Sequence, residues 1–242
     1  MENLEKIAID YHLSARMPDM FIEAICQEFE ISWLSHYICD DDKVLDLGFG
    51  DGLFLQAFKD HPDFTILEGS KSLVEHAKGV AQELHSSAKV VHTYFEEYVT
   101  SEKYDVIIAS HVLEHVNDPR RVLNLCKQWL SDDGEIIVIV PNRESLHRRL
   151  GVAMGLQREL DDLSARDKAV GHLRVYSLES LIKEIEETGF KVLEKRGFFT
   201  KTLSNAQMIN LTPEVFQGLC KLSSELPAEM GANIGLVCKN AK

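Results

Sequence analysis

Val44-Leu45-Asp46-Leu47-Gly48-Phe49-Gly50-Asp51-Gly52 is a short apolar run interrupted by one acid and followed by three glycines at alternate positions. Such a run suits a strand buried on both faces. The glycines let the backbone turn sharply and approach a ligand. Where a strand feeds a helix, the turn also offers free N–H groups and positive potential. Two common phosphate-binding patterns do not fit. In the dinucleotide fingerprint G-x-G-x-x-G/A, counting from Gly48, the third small residue falls on Leu53. The pattern G-x-x-x-x-G-K-[ST] is absent. Asp46, two residues before Gly48, repels a phosphate but suits an ammonium group, so the turn favours a ligand with an amino-acid end. A purely structural glycine turn is the alternative.

From this turn outward, strands and helices alternate. The patterns predict a helix over 53–59, a strand over 64–67 ending at Glu68-Gly69-Ser70, and a long helix to about 84. Strands over 89–91 and 104–109 follow. Asp118-Pro119 supplies an N-cap and a first-turn proline for a helix whose apolar face is Val122, Leu125, Cys126 and Trp129. Ile136-Ile137-Val138-Ile139-Val140 is unbroken and β-branched, as in a central strand. A helix marked by Leu178, Leu181, Ile182 and Ile185 ends at Gly189, ahead of strands over 190–194 and 234–238. Strands separated by helices of this length imply βαβ crossovers and a parallel sheet, hence a doubly wound α/β fold.

Upstream, Phe21, Ile25, Phe29 and Trp33 recur every four residues, with Ile22 and Leu34 beside them. Residues 1–40 therefore read as a helical region that packs on the sheet or forms a lid. Residues 142–176 and 204–230 read as insertions near the site. With no repeat and no Pro/Gly/Ser-rich linker, 1–242 reads as one domain.

Composition narrows the function classes. The chain has 242 residues, 45% hydrophobic and 27% charged, close to ordinary globular usage. Its 26 basic and 39 acidic residues give a net charge of −13, which disfavours nucleic acid as a partner. No apolar run reaches the length of a membrane span, and the N-terminus lacks the basic-then-apolar pattern of a secretory leader, so a cytoplasmic protein is expected. Cys26, Cys39, Cys126, Cys220 and Cys238 are odd in number and scattered, which predicts buried free thiols rather than disulfides or a zinc cluster.

Glu68 lies roughly 20 residues beyond the glycine turn, where a carboxylate can accept hydrogen bonds from both hydroxyls of a ribose. Together with Tyr104-Asp105-Val106-Ile107-Ile108-Ala109-Ser110-His111-Val112-Leu113-Glu114-His115 and the stretch from Leu130 to Pro141, the chain resembles the class I S-adenosylmethionine-dependent methyltransferases over about residues 40 to 142. Gly171-His172-Leu173-Arg174-Val175-Tyr176-Ser177, with a helix ending at Gly189-Phe190, is similar to the small-molecule branch that includes the ubiquinone and biotin pathway methyltransferases. The resemblance implies a seven-stranded, mostly parallel Rossmann-like sheet with its last strand antiparallel, and S-adenosylmethionine as cofactor. It implies that Asp46, Gly48 and Gly50 hold the methionine end, that Glu68 binds the ribose, and that Phe49, Gly69 and Ser70 also belong to the cofactor site. Phe95 and Glu96 would flank the adenine, with Ser110 and His111 on the floor near the sulfonium. Many relatives carry an aspartate where this chain has Tyr94, so the adenine contact falls to Glu96 or to backbone and stacking.

An O or N atom of a polar small molecule is the expected acceptor, and an oxygen acceptor must lose a proton. His111, His172, His12 and Tyr11 are the candidate bases. His111-Val112-Leu113-Glu114-His115 also spells H-x-x-E-H, a zinc-protease pattern that needs one continuous helix. Here the segment leaves a strand and Asp118-Pro119 starts a new helix, so no metal is expected. Residues 142–176 hold seven Lys/Arg against five Asp/Glu in an otherwise acidic chain. Leu146, Leu150, Ala153 and Met154 recur at helical spacing there. Arg143, Arg148, Arg149, Arg174 and Tyr176 are the expected acceptor-binding residues, the arginines suiting an anionic acceptor. Two alternatives compete: a methyltransferase-like binding or regulatory protein without turnover, and a nicotinamide-dependent oxidoreductase. The oligomeric state is not legible.

Overall fold

Strand β1 (Val44–Leu47) is buried at every position because it pairs on both edges. The structure, a computed structural model, describes residues 2–14 and 18–241. Ahead of β1 come α1 (Glu2–Ile7), a π-helical turn (Ala8–Leu13) and α2 (Met20–Leu34). After it come α3 (Leu53–Ala57), β2 (Phe64–Glu68), α4 (Lys71–Glu83), β3 (Lys89–His92) and β4 (Tyr104–Ser110). Then follow α5 (Pro119–Trp129), β5 (Leu130–Pro141), α6 (Leu146–Ala153), α7 (Ala165–Ala169) and α8 (Leu178–Glu187). The chain closes with β6 (Phe190–Phe198), α9 (Asn205–Met208), α10 (Pro213–Ser223) and β7 (Asn233–Asn240).

The described strands form one seven-stranded sheet in the order β3-β2-β1-β4-β5-β7-β6. The pairs from β3 to β5 are parallel, and β7 runs antiparallel to both β5 and β6. Alternation along each strand sends side chains to two cores. Val44, Phe64, Ile108 and Ile137 join α2, α4 and α10 on one face. Leu45, Leu67, Ile107 and Ile136 join α5 and α8 on the other. The strand order reverses between β1 and β4, which leaves the crevice at their carboxyl ends as the natural ligand position.

Local chemistry sets the element ends. Asp118 caps α5 by accepting from the Arg121 N–H at 3.0 Å, with Pro119 in the first turn. Gly189, at φ +82°, ends α8. Three expectations shift. Strand β6 runs on through Glu194, Lys195 and Arg196 to Phe198, because it is a sheet edge where charged side chains reach water. Helix α2 is rotated from the expected face: Ile22, Cys26, Glu30 and Trp33 are buried and Phe21 is 38% exposed. Helix α6 buries Arg148, whereas Ala153 and Met154 face solvent. Cys39 is exposed and the other four cysteines are buried and free.

Candidate active site

The turn after β1 is built on positive φ at Gly48 (+90°), Gly50 (+53°) and Gly52 (+76°), values that favour glycine. A Cβ at Gly48 or Gly50 would meet nothing within 4 Å, so both glycines border open space; at Gly52 it would strike the Phe49 ring at 2.7 Å. The space is a cavity of about 1390 Å³ at the carboxyl ends of β1, β2 and β4. Asp46 lines it, 2% exposed, and its Oδ2 has no hydrogen-bond partner. Burial, reinforced by the Glu68 charge, pushes its carboxyl well above the usual carboxylate range. An ammonium group brought beside it would relieve both effects. Helix α3 has only five residues, so a ligand at this turn would meet backbone and Asp46 more than a helix dipole.

Glu68 joins two loops. Its Oε2 accepts from the Phe49 N–H at 3.0 Å and its Oε1 from the Ser70 N–H at 2.7 Å. Each oxygen keeps a further lone pair for a ligand hydroxyl. Gly69 is pressed between Leu4 and Tyr94, and Tyr94, Phe95 and Glu96 line the adjoining wall. Ser70 turns from the cavity: its hydroxyl caps α4 at Leu73 and donates to Glu5 Oε2 at 2.9 Å. Glu5 also receives the Ser72 N–H at 3.2 Å, so the N-terminal segment is tied to the start of α4.

That segment roofs the cavity with Leu4, Ile7, Ala8, Tyr11 and His12. His12 Nδ1 lies 2.8 Å from Asp51 Oδ1 in the glycine turn. Tyr11 donates to Glu23 Oε2 at 2.9 Å, and burial followed by the Glu23 charge raises its phenol. Arg166 from α7 clasps Asp19 at 2.6 Å and Glu23 at 2.8 Å, joining the roof to the 142–176 insertion. Gly171 lies directly beneath Ile7, whose Cδ1 would sit 2.4 Å from an added Cβ.

On the floor, Ser110 Oγ is buried without a partner. His111 adopts φ +55° and bridges two carboxylates that are wholly buried: Nε2 is 3.1 Å from Glu30 Oε2, and Nδ1 is 3.4 Å from Glu114 Oε1. Glu114 lacks an aligned hydrogen bond, so that second contact is an ion pair only. Burial opposes the imidazolium, but Glu30 and Glu114 outweigh it and hold His111 well above its usual value. Both shifts favour the protonated forms of His111 and Tyr11, which weighs against either group as the base.

The insertion supplies an aspartate–histidine pair. His172 lines the cavity and its Nδ1 lies 3.0 Å from Asp167 Oδ1. Asp167 Oδ2 accepts from Arg148 at 2.6 Å. Against burial, the His172 hydrogen bond and the Arg148 charge hold the Asp167 carboxyl well below the usual range. The expected acceptor-binding residues fare differently. Arg148 lines the cavity, but its guanidinium is taken up by Asp167 and the carbonyl of Asp162. Arg174 donates to the carbonyls of Leu113, Val116 and Asn117, closing the loop after β4. Arg149 is exposed beside Glu144, Arg143 does not line the cavity, and Tyr176 is buried against Glu184. Backbone carbonyls and carboxylates released by the loops consume these donors, which spacing could not reveal.

The H-x-x-E-H segment is a succession of turns, not a helix. It nevertheless brings one ligand atom each from Glu114, His115 and His172 within 4.8 Å of one another. Burial lowers His115 further than Glu114 raises it. Sequence reasoning missed Glu30, Asp167 and Lys201, all buried and all at or beside the cavity. Glu30 left one trace: it interrupts the stripe Ile22-Cys26-Glu30-Trp33 with an acid at a buried position.

A family model described as a methyltransferase domain matches residues 23–195. The chain is 32% identical over 104 residues to the ubiquinone biosynthesis O-methyltransferase of Salmonella paratyphi A, covering 42% of this chain and 43% of that one. It is 30% identical over 122 residues to the enzyme of the same name from Bradyrhizobium sp., covering 50% and 48%. The chain thus spans about half the length of the curated relatives it matches. The crystal structure of a SAM-dependent methyltransferase from Thermotoga maritima superposes with a TM-score of 0.61 over 92% of both chains at 19% identity, which speaks to the fold. With 23–195 of its 242 residues matched by that model, the chain belongs to the methyltransferase-domain family.

Proposed function

We propose that this chain is an S-adenosylmethionine-dependent methyltransferase that acts on an oxygen or nitrogen of a polar small molecule. The carrying observation is the buried, unpartnered Asp46 Oδ2 beside open space at Gly48 and Gly50, a site that lacks only an ammonium group. Glu68, fixed by two N–H donors with lone pairs to spare, suits ribose hydroxyls. Tyr94, Phe95 and Glu96 offer the wall for an adenine. When bound, S-adenosylmethionine supplies an electrophilic methyl group on a sulfonium. The chain's own work is to align the acceptor at about 3–3.5 Å and to exclude water, which the roof of Leu4, Ile7 and Ala8 serves.

For an oxygen acceptor, which the names of the two curated relatives favour, His172 is the base. Asp167 engages its Nδ1, leaving Nε2 to take the acceptor's proton. No metal takes part in this reading, because the segment from His111 to His115 is a run of turns and not the continuous helix that a zinc site of this pattern needs. Metal analysis of the purified protein checks this against the Glu114, His115 and His172 donors: stoichiometric metal, or activity lost to a chelator and restored by one divalent ion, overturns it. The reading as a whole is tested by calorimetry with S-adenosylmethionine and S-adenosylhomocysteine, then by a labelled methyl donor in metabolite extracts. Binding of both ligands and label in a small product are expected. Tight NAD binding with no response to S-adenosylhomocysteine would sink it.

A further inference from the structure

Lys201, three residues past the end of β6, is 9% exposed and lines the cavity. Its ammonium donates to Asn205 Oδ1 and stands 5.0 Å from the centroid of the Phe199 ring. Among the described residues no carboxylate oxygen comes within 4.0 Å of it. Of the groups whose charge it feels, the Cys26 thiol is held well above its usual range by Cys220 and burial, and Glu23 and Asp19 are both held by Arg166. A buried ammonium without a counter-ion is a costly arrangement, and proteins keep one where a ligand completes it. Burial brings this ammonium down to about 8, so it still carries its charge at neutral pH.

The backbone is bent to put it there. Phe199 adopts φ +55°, a left-handed conformation that is an outlier for a bulky side chain. Apart from Asp19, Glu23 and Arg166, which are paired with one another, the cavity wall near Lys201 offers uncharged polar groups. His147 lines it with a buried Nδ1 that has no partner, and is held neutral, down to about 3, by burial first and then by Lys201 and Arg148. Asn205, Gln207 and Asn233 add amides. Arg148 is already bound to Asp167.

We propose that Lys201 is the acceptor-recognition residue and that it binds a carboxylate on the methyl acceptor. One positive charge without an ion-pair partner, beside charges already paired with one another, matches a monoanion; a phosphate dianion would require a second free cation. The inference rests on the methyltransferase reading only in calling the bound molecule the acceptor. It also moves the anion site from the arginines of the 142–176 insertion to the segment after β6.

The experiment titrates benzoate, phenylacetate and hexanoate, each against its own amide, into the full chain saturated with S-adenosylhomocysteine at pH 7, by calorimetry. At least one carboxylate should bind tenfold or more tightly than its amide. Lys201→Met should remove that preference without changing S-adenosylhomocysteine affinity, and Lys201→Arg should retain part of it. As a measurement that does not depend on a variant folding, wild-type lysines are reductively methylated with ¹³C-formaldehyde. The Lys201 resonance should shift with the carboxylate and not with the amide. Absence of any carboxylate preference across the panel, or a preference that survives Lys201→Met, overturns the proposal. If S-adenosylhomocysteine fails to bind, the same titrations without it still report on Lys201, so the two readings fall separately.

Discussion

At the scale of single residues, the site is governed by charges taken out of water and then compensated. His111 is the clearest case. Its unfolded value is about 6.5, and the folded value is raised well above that by Glu30 and Glu114 against the opposing effect of burial. Its stabilisation is therefore complete below pH 6.5 and is lost as pH rises through the folded value. Thermal melts from pH 6.5 to 9.5 should show a decline in Tm that His111→Gln flattens; parallel slopes in both proteins would refute the pairing. Glu68 carries two loads. Glu68→Ala should weaken S-adenosylhomocysteine by about 1.5–3 kcal/mol, the scale for hydrogen bonds to a charged group. It should also lower Tm in the absence of ligand, because the Phe49 and Ser70 N–H groups lose their acceptor. His172→Asn should lower kcat by about 10²–10⁴-fold with an oxygen acceptor and leave cofactor affinity as it was. A kcat within a factor of three of wild type would remove His172 from the chemistry.

At the scale of elements, the glycine turn and the roof make separate predictions. Gly50→Ala meets no atom within 4 Å, but its φ of +53° is strained for any side chain, so the loss should appear in stability and in cofactor affinity together. Measured Tm and calorimetric Kd would show whether the two move in step. The same elements show what could be read in advance. Strands β1, β2, β4 and β5 are legible because each contains a short, dense apolar stretch, such as Ile136 to Val140 in β5. The far half of β6 was hidden by Glu194, Lys195 and Arg196, whose charges are tolerated only because nothing pairs beyond that edge. Asp46, Gly48 and Gly50 were legible because their spacing is local. Glu30 was not, since its partner His111 is 81 residues away. The arginines of 142–176 were read as ligand donors because spacing does not show which carbonyls a loop will leave unsatisfied. Lys201 was overlooked because a lone lysine after a strand looks like any solvated charge.

At the scale of the whole molecule, seven strands share two cores, and N-terminal residues reach the same cavity as the segment after β6. From this interleaving we propose that the chain unfolds as one domain. Heat or denaturant should produce one transition seen alike by Trp fluorescence and circular dichroism, shifted upward as a unit by S-adenosylhomocysteine. Two separable transitions would divide the chain. No described helix is long and apolar enough to cross a membrane.

The roof has a kinetic consequence. Leu4, Ile7 and Ala8 cover the cavity, and polar fastenings of Glu5 to Ser70, Tyr11 to Arg166 and His12 to Asp51 hold the segment down. On the proposed function, spent cofactor would leave past this cover in every cycle, and its departure would require those fastenings to part. Turnover under saturating substrates should then be limited by escape rather than by bond-making. It should slow in proportion to added viscogen, and quicken in Arg166→Ala even as the cofactor is held less tightly.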